Sequence, residues 1–123
     1  MKSPRITTTV SWILQGLAAA AFLAAGSPKL AGAAPMVQLF DTIGIGQWFR
    51  FVTGGIEVLS AVLLLVPALA PVGAVLLACT MIGAILVHAF VLHTSAAAPL
   101  VLLILVSAIL WLRRDRVWAV ARS

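Results

Sequence analysis

The sequence predicts an all-α integral membrane protein, a four-helix bundle with a short interfacial helix between the first two spans. Three observations carry this expectation. Apolar residues make up 63% of the 123 and charged residues only 9%, whereas a soluble domain carries about 25% charged residues. The apolar residues collect into four stretches, near 8–26, 48–66, 71–92 and 97–113, each close to the roughly 20 residues that a bilayer crossing needs. The basic residues sit at the ends, with Lys2 and Arg5 before the first stretch and Arg113, Arg114, Arg116 and Arg122 after the last. The chain therefore reads as a single transmembrane domain over 1–123. Such a composition excludes a soluble catalytic module, and its hydrophobicity excludes disorder.

The first stretch has a basic start and small residues near its end, as a signal peptide has. It is longer than a signal core of about 7–15 residues, and Ser11, Trp12 and Gln15 interrupt it, so it reads as a span. Gly16, Ala20 and Ala24 recur every four residues and form a stripe on which a neighbouring helix can approach closely. Gly26 and Pro28 are expected to end this helix. In the connection that follows, Pro35 opens a short helix whose Met36, Leu39, Phe40 and Ile43 share one face. It is too short to span and is expected to lie in the interface plane, with Gly44 and Gly46 stopping it.

The second span runs to Pro67 and the third begins near Pro71, so the two form a tight antiparallel hairpin. The turn from His93 to Pro99 leads into the fourth, where a proline in the first turn costs little. With four spans both termini share a side. The basic termini outweigh Lys29 and Arg50, which places the termini in the cytoplasm and the protein in the inner (cytoplasmic) membrane. Trp48 fits one interface, and Trp111 and Trp118 the other.

Glu57 is the most informative residue. It lies about nine positions, or roughly 13 Å, into the second span, where a carboxylate is costly and normally faces a bundle interior with a partner. Arg50, Gly54, Ser60 and Ala61 fall on the same helical face. This face is either a polar pocket between helices or an interhelical pin that fixes packing. His88, near the outer end of the third span, comes close to Arg50 in height. Lys29 closes the first helix at the outer surface, where its side chain can also snorkel. An outer-half cluster of Lys29, Arg50, Glu57 and His88 is the expected ligand site.

Other chemistry is not expected. An isolated intramembrane histidine is a poor metal ligand set, and His88 and His93, on one helix, cannot straddle a porphyrin. No metal site, no catalytic residue and no covalently bound cofactor is expected. Cys79, the single cysteine, reads as buried packing. The charge of +5 lacks the aromatic and basic interleaving of a nucleic-acid binder, so nucleic acid is not an expected partner.

The segments from Gly26 through Pro28 and Lys29 to Gly32, and from Trp48 through Arg50 and Gly54 to Glu57, resemble the DoxX family of small bacterial four-helix membrane proteins. The similarity continues through Leu63 to Pro67, Pro71 to Ala74 and Met81 to His88. It implies a left-handed four-helix domain in which Lys29, Arg50, Glu57 and His88 match recurring polar positions. The family takes its name from a subunit of a thiosulfate-oxidising, quinone-reducing membrane complex. The resemblance therefore implies an accessory subunit of a membrane redox complex, not an enzyme on its own, with a quinone or other lipidic molecule as the candidate ligand. Its expected partners are the lipid bilayer and either other membrane proteins or further copies of itself. Two alternatives stand beside this: a structural scaffold for other membrane proteins, and a small-solute or proton-coupled transporter.

Overall fold

The computed structural model describes residues 4–115, and Lys2, Arg116, Trp118 and Arg122 lie outside them. The described residues form five α-helices and one π-helical turn, with no strand among them. Helix α1 (Pro4–Ala31) runs 28 residues, straight through Gly26 and Pro28. The expected stop at Gly26 is thus corrected, and the reason is packing. A Cβ on Gly26 would lie 2.9 Å from Val58 Cγ2 and 3.0 Å from the Gly54 carbonyl oxygen. The glycine is there because α3 (Gln47–Leu64) crosses it at backbone distance. The stop comes at Gly32, whose φ of 74° is left-handed, and Ala33 N–H donates to the Pro28 carbonyl at 3.0 Å, a Schellman-type ending.

The short helix α2 (Ala34–Ile43) carries Pro35 in its first turn and ends on Gly44 in the left-handed conformation, as the sequence implies. Its Phe40 is buried and meets Phe49 of α3 edge-on, with ring centroids 5.8 Å apart. After α3 a tight turn leads to α4 (Ala70–Val87), again with a proline in its first turn. A Cβ on Gly73 would come 2.7 Å from the Ser60 carbonyl oxygen, so α3 and α4 also meet at backbone distance. α4 passes into a π-helical turn at His88–Leu92, which His93 ends at a φ of 53°. The last helix, α5 (Ala97–Leu112), spans 16 residues.

Helix α1 packs chiefly on α3, α3 on α4, and α4 on α5, while α1 and α5 meet along a smaller contact. α2 rests on α3 and touches α1 and the π-turn. The core between them is narrow, built of Ala18, Phe22, Ala61, Leu64, Ala74, Leu77, Val106 and Ile109. Large apolar side chains instead cover the outside, among them Leu17, Leu59, Phe90, Val101, Ile104 and Trp111. Ser11, Gln15, Arg50, Glu57 and Ser60 are buried. Polar groups inside and apolar groups outside is the arrangement a lipid solvent favours.

Two segments, Arg5–Ala31 and Ala70–Leu92, are long and apolar enough to cross a membrane. Only 11% of the apolar window in Ala70–Leu92 is buried in the protein, so packing does not consume its hydrophobic surface. Two further expectations are corrected. Gly16, Ala20 and Ala24 lie on the exposed face of α1, and a Cβ on Gly16 would meet nothing within 4 Å. The packing face carries Ser11, Gln15, Ala18, Phe22 and Gly26 instead. Cys79 is exposed on the outer face of α4 rather than buried.

Candidate functional site

The crossing of α1 and α3 sets the site. Gly26 and Gly54 bring the two backbones together, and a Cβ on Gly54 would lie 2.8 Å from Lys29 Cβ. This closeness puts Lys29 Nζ 2.5 Å from Glu57 Oε1, an ion pair between side chains 15% and 1% exposed. Lys29 Nζ also donates to the Ala25 carbonyl at 3.3 Å. A lone carboxylate at this depth would be very costly, and the lysine is what makes it tolerable.

Arg50 shares a helical face with Glu57 but takes other partners. Arg50 Nη1 donates to the Lys29 carbonyl oxygen, one of the unsatisfied acceptors at the end of α1. Its Nε donates to Gln47 Oε1 at 2.7 Å, and the guanidinium lies 4.3 Å over the Phe51 ring. Gln47 Nε2 in turn donates to Asp41 Oδ1 at 2.8 Å and to the Val37 carbonyl at 3.0 Å. Arg50 thereby fastens α1 and, through Gln47, α2 to α3. The physical reason is the extra length of α1: continuing past Gly26, it delivers Lys29 to the carboxylate and its own C-terminal carbonyls to the arginine.

A cavity of about 310 Å³ opens beside this pair, between α2, α3, α4 and the π-turn. Its walls are mostly apolar, including Phe40, Phe49, Ile56, Met81 and Val87, with Lys29, Glu57, Thr53, Thr80 and His88 as its polar points. Three of the four expected residues therefore line one space, and Arg50 supports it from behind. Thr53 Oγ1 donates to the Phe49 carbonyl at 2.8 Å and Thr80 Oγ1 to the Leu76 carbonyl at 2.7 Å. Both hydroxyl protons are used, which leaves each oxygen as an acceptor. His88 Nδ1 lies 2.7 Å from Thr94 Oγ1, which ties the π-turn to the loop after it.

A second polar cluster went unread in the sequence. Gln15 Nε2 donates to the Leu64 carbonyl at 2.6 Å, and Gln15 Oε1 accepts from Arg113 Nε at 2.8 Å. The Arg113 guanidinium also lies 5.6 Å from the Trp12 ring centre. This clasp joins α1, the end of α3 and the end of α5. Its signal was present: Ser11 and Gln15 lie four apart in an apolar helix, in register with Ala18 and Phe22.

Helices with apolar exteriors, a buried ion pair and a cavity beside it define a helical, membrane-associated class of protein. The chain belongs to the DoxX-like family, whose model matches residues 13–110. The comparisons with curated proteins and with solved structures gave no match.

Proposed function

We propose that this protein is a multi-pass subunit of the cytoplasmic membrane that holds a quinone-like or other lipidic molecule, its head at the Lys29–Glu57 pair and its apolar body along α2 and α4. In this reading α1, α3, α4 and α5 all cross the bilayer, with α3 carrying the polar residues that α1 and α4 shield. The observation that carries the reading is the cavity itself, with apolar walls and a few convergent polar groups, the usual form of a small-ligand site. A quinone's ring and tail fit these residues through Phe40, Phe49 and Met81; at the head, Lys29 Nζ can donate to an oxygen, and Glu57 can accept from a hydroxyl when the head is reduced. When bound, a quinone would supply two-electron, two-proton redox chemistry. The chain's own residues position the head and exclude water, while partner proteins of a redox complex would exchange the electrons.

The test is photolabelling. A diazirine-bearing prenyl analogue, activated in membranes, is expected to label Met81, Ala84 and Val87 of α4 and Leu39 to Ile43 of α2, and to be displaced by unlabelled analogue. Labelling spread evenly over outward residues such as Leu59 and Ile104 would refute the site. One observation favours a scaffold reading in its place: the ion pair sits at the closest crossing of α1 and α3, where a packing pin would sit. Under that reading the photolabel finds no preferred position, yet loss of Glu57 loosens the assembly.

A further inference from the structure

The hydrogen-bonding inventory of the cavity specifies its occupant more narrowly. Glu57 is 1% exposed and lines the cavity, yet Lys29 Nζ reaches only Oε1, and no described residue donates a hydrogen bond to Oε2. A carboxylate has about four lone-pair sites, so most of its accepting capacity is unused in an apolar wall. Thr53 and Thr80 add two hydroxyl oxygens whose protons already serve backbone carbonyls. On the donor side, Lys29 has spent two of its three protons, on Glu57 and Ala25. Beside Glu57 the wall is therefore rich in acceptors and short of donors; His88, whose Nδ1 meets Thr94 Oγ1, adds an Nε2 that donates in one tautomer and accepts in the other. The ion pair also leaves no excess positive charge at the head position to attract an anion.

We propose that the cavity selects amphiphiles whose uncharged head carries a hydroxyl, rather than those whose head only accepts or is anionic. The inference rests on the site reading given above. A hydroxyl donates to Glu57 Oε2 and can accept the remaining Lys29 proton, which completes both groups. A head with carbonyl oxygens alone leaves Oε2 bare, and a buried acceptor without a partner is costly. An anionic head places like charge against that oxygen. The aromatic diol of a reduced quinone and the alcohol of a glycerolipid share this chemistry.

The experiment measures binding to the full chain in nanodiscs, kept anaerobic, of four ligands: a prenylated naphthoquinol, its oxidised naphthoquinone, a monoacylglycerol and the matching free fatty acid. A hydrogen bond to a charged acceptor supports about tenfold or greater preference. The naphthoquinol is therefore expected to bind at least about tenfold more tightly than the naphthoquinone, and the monoacylglycerol more tightly than the fatty acid. Whichever hydroxylated ligand binds more tightly names the source, and either result supports the proposal. In Glu57→Gln the amide supplies a donor of its own, so the preference is expected to collapse; the wild-type comparison stands even if that variant does not fold. Gly83 lines the cavity and a Cβ there meets nothing within 4 Å, so Gly83→Leu is expected to fold and to weaken all ligands together. Equal binding of the two naphthyl ligands, or tighter binding of the fatty acid, overturns the donor rule and leaves the site standing. Failure of all four to bind overturns the site, and this inference with it.

Discussion

Glu57 and Lys29 lie 28 positions apart, and each makes the other's place in the fold tolerable. The two are not equally trapped, because the lysine side chain is 15% exposed and the glutamate 1%. Lys29→Met leaves the buried carboxylate without its cation, and a loss of about 3–5 kcal/mol is expected, as for other broken buried pairs. Glu57→Leu is expected to cost less, since the lysine can swing outward on its long stem. The double variant is expected to recover most of the loss, and a double-mutant cycle from denaturation in detergent measures it. Equal losses from the two single variants would contradict this asymmetry. The importance of Glu57 was legible from its depth in an apolar run. Its partner was not, because choosing Lys29 over Arg50 depends on where α1 ends, and glycine in that helix reads equally well as a stop or as a crossing.

Among the elements, the glycines settle which faces meet. Gly26→Leu is expected to destabilise by about 1–3 kcal/mol through overpacking against Val58 and the Gly54 carbonyl. Gly16→Ala, on the open face of the same helix, is expected to be neutral or slightly stabilising, because alanine is the better helix former. Thermal unfolding of the pair in one detergent compares them, and a reversed order would mean that α1 is rotated. Small-residue spacing alone pointed to the wrong stripe, since in lipid small residues are tolerated on either face. Polar residues were the better guide, because only a protein interior can satisfy them. Gln15→Leu removes the donor to the Leu64 carbonyl and strands the Arg113 contact. A loss of about 1–3 kcal/mol is expected in the same assay, and no loss would show the clasp to be dispensable. The short α2, the hairpin of α3 and α4 and the whole of α5 were legible to within a few residues, because proline and glycine mark their ends. The π-turn at His88–Leu92 left no such mark.

For the whole molecule, the outward apolar surface and the inward polar seam suit a bilayer as the solvent. With both termini read as cytoplasmic, the basic C-terminal flank is expected to help hold the orientation. Arg114→Glu combined with Arg116→Glu and Arg122→Glu is expected to shift a fraction of chains to the opposite orientation, read by labelling of tagged termini from each side. Unchanged labelling would remove these residues from the topology determinants. The family and the helical architecture were legible from residues such as Glu57, Gly54 and Pro71, and a polar pocket near Lys29, Glu57 and His88 was expected; its apolar walls from α2 and α4 were not legible, because they arise between elements whose rotations no local pattern fixes. The central claim is that this cavity holds a small amphiphile at Lys29 and Glu57. Its most direct test is native mass spectrometry of the protein released from membranes, wild type beside Glu57→Gln. A bound amphiphile at one per chain in the wild type, lost or much reduced in an equally assembled variant, is the expected result. The same non-specific lipids in both, with nothing held in fixed ratio, would contradict the claim.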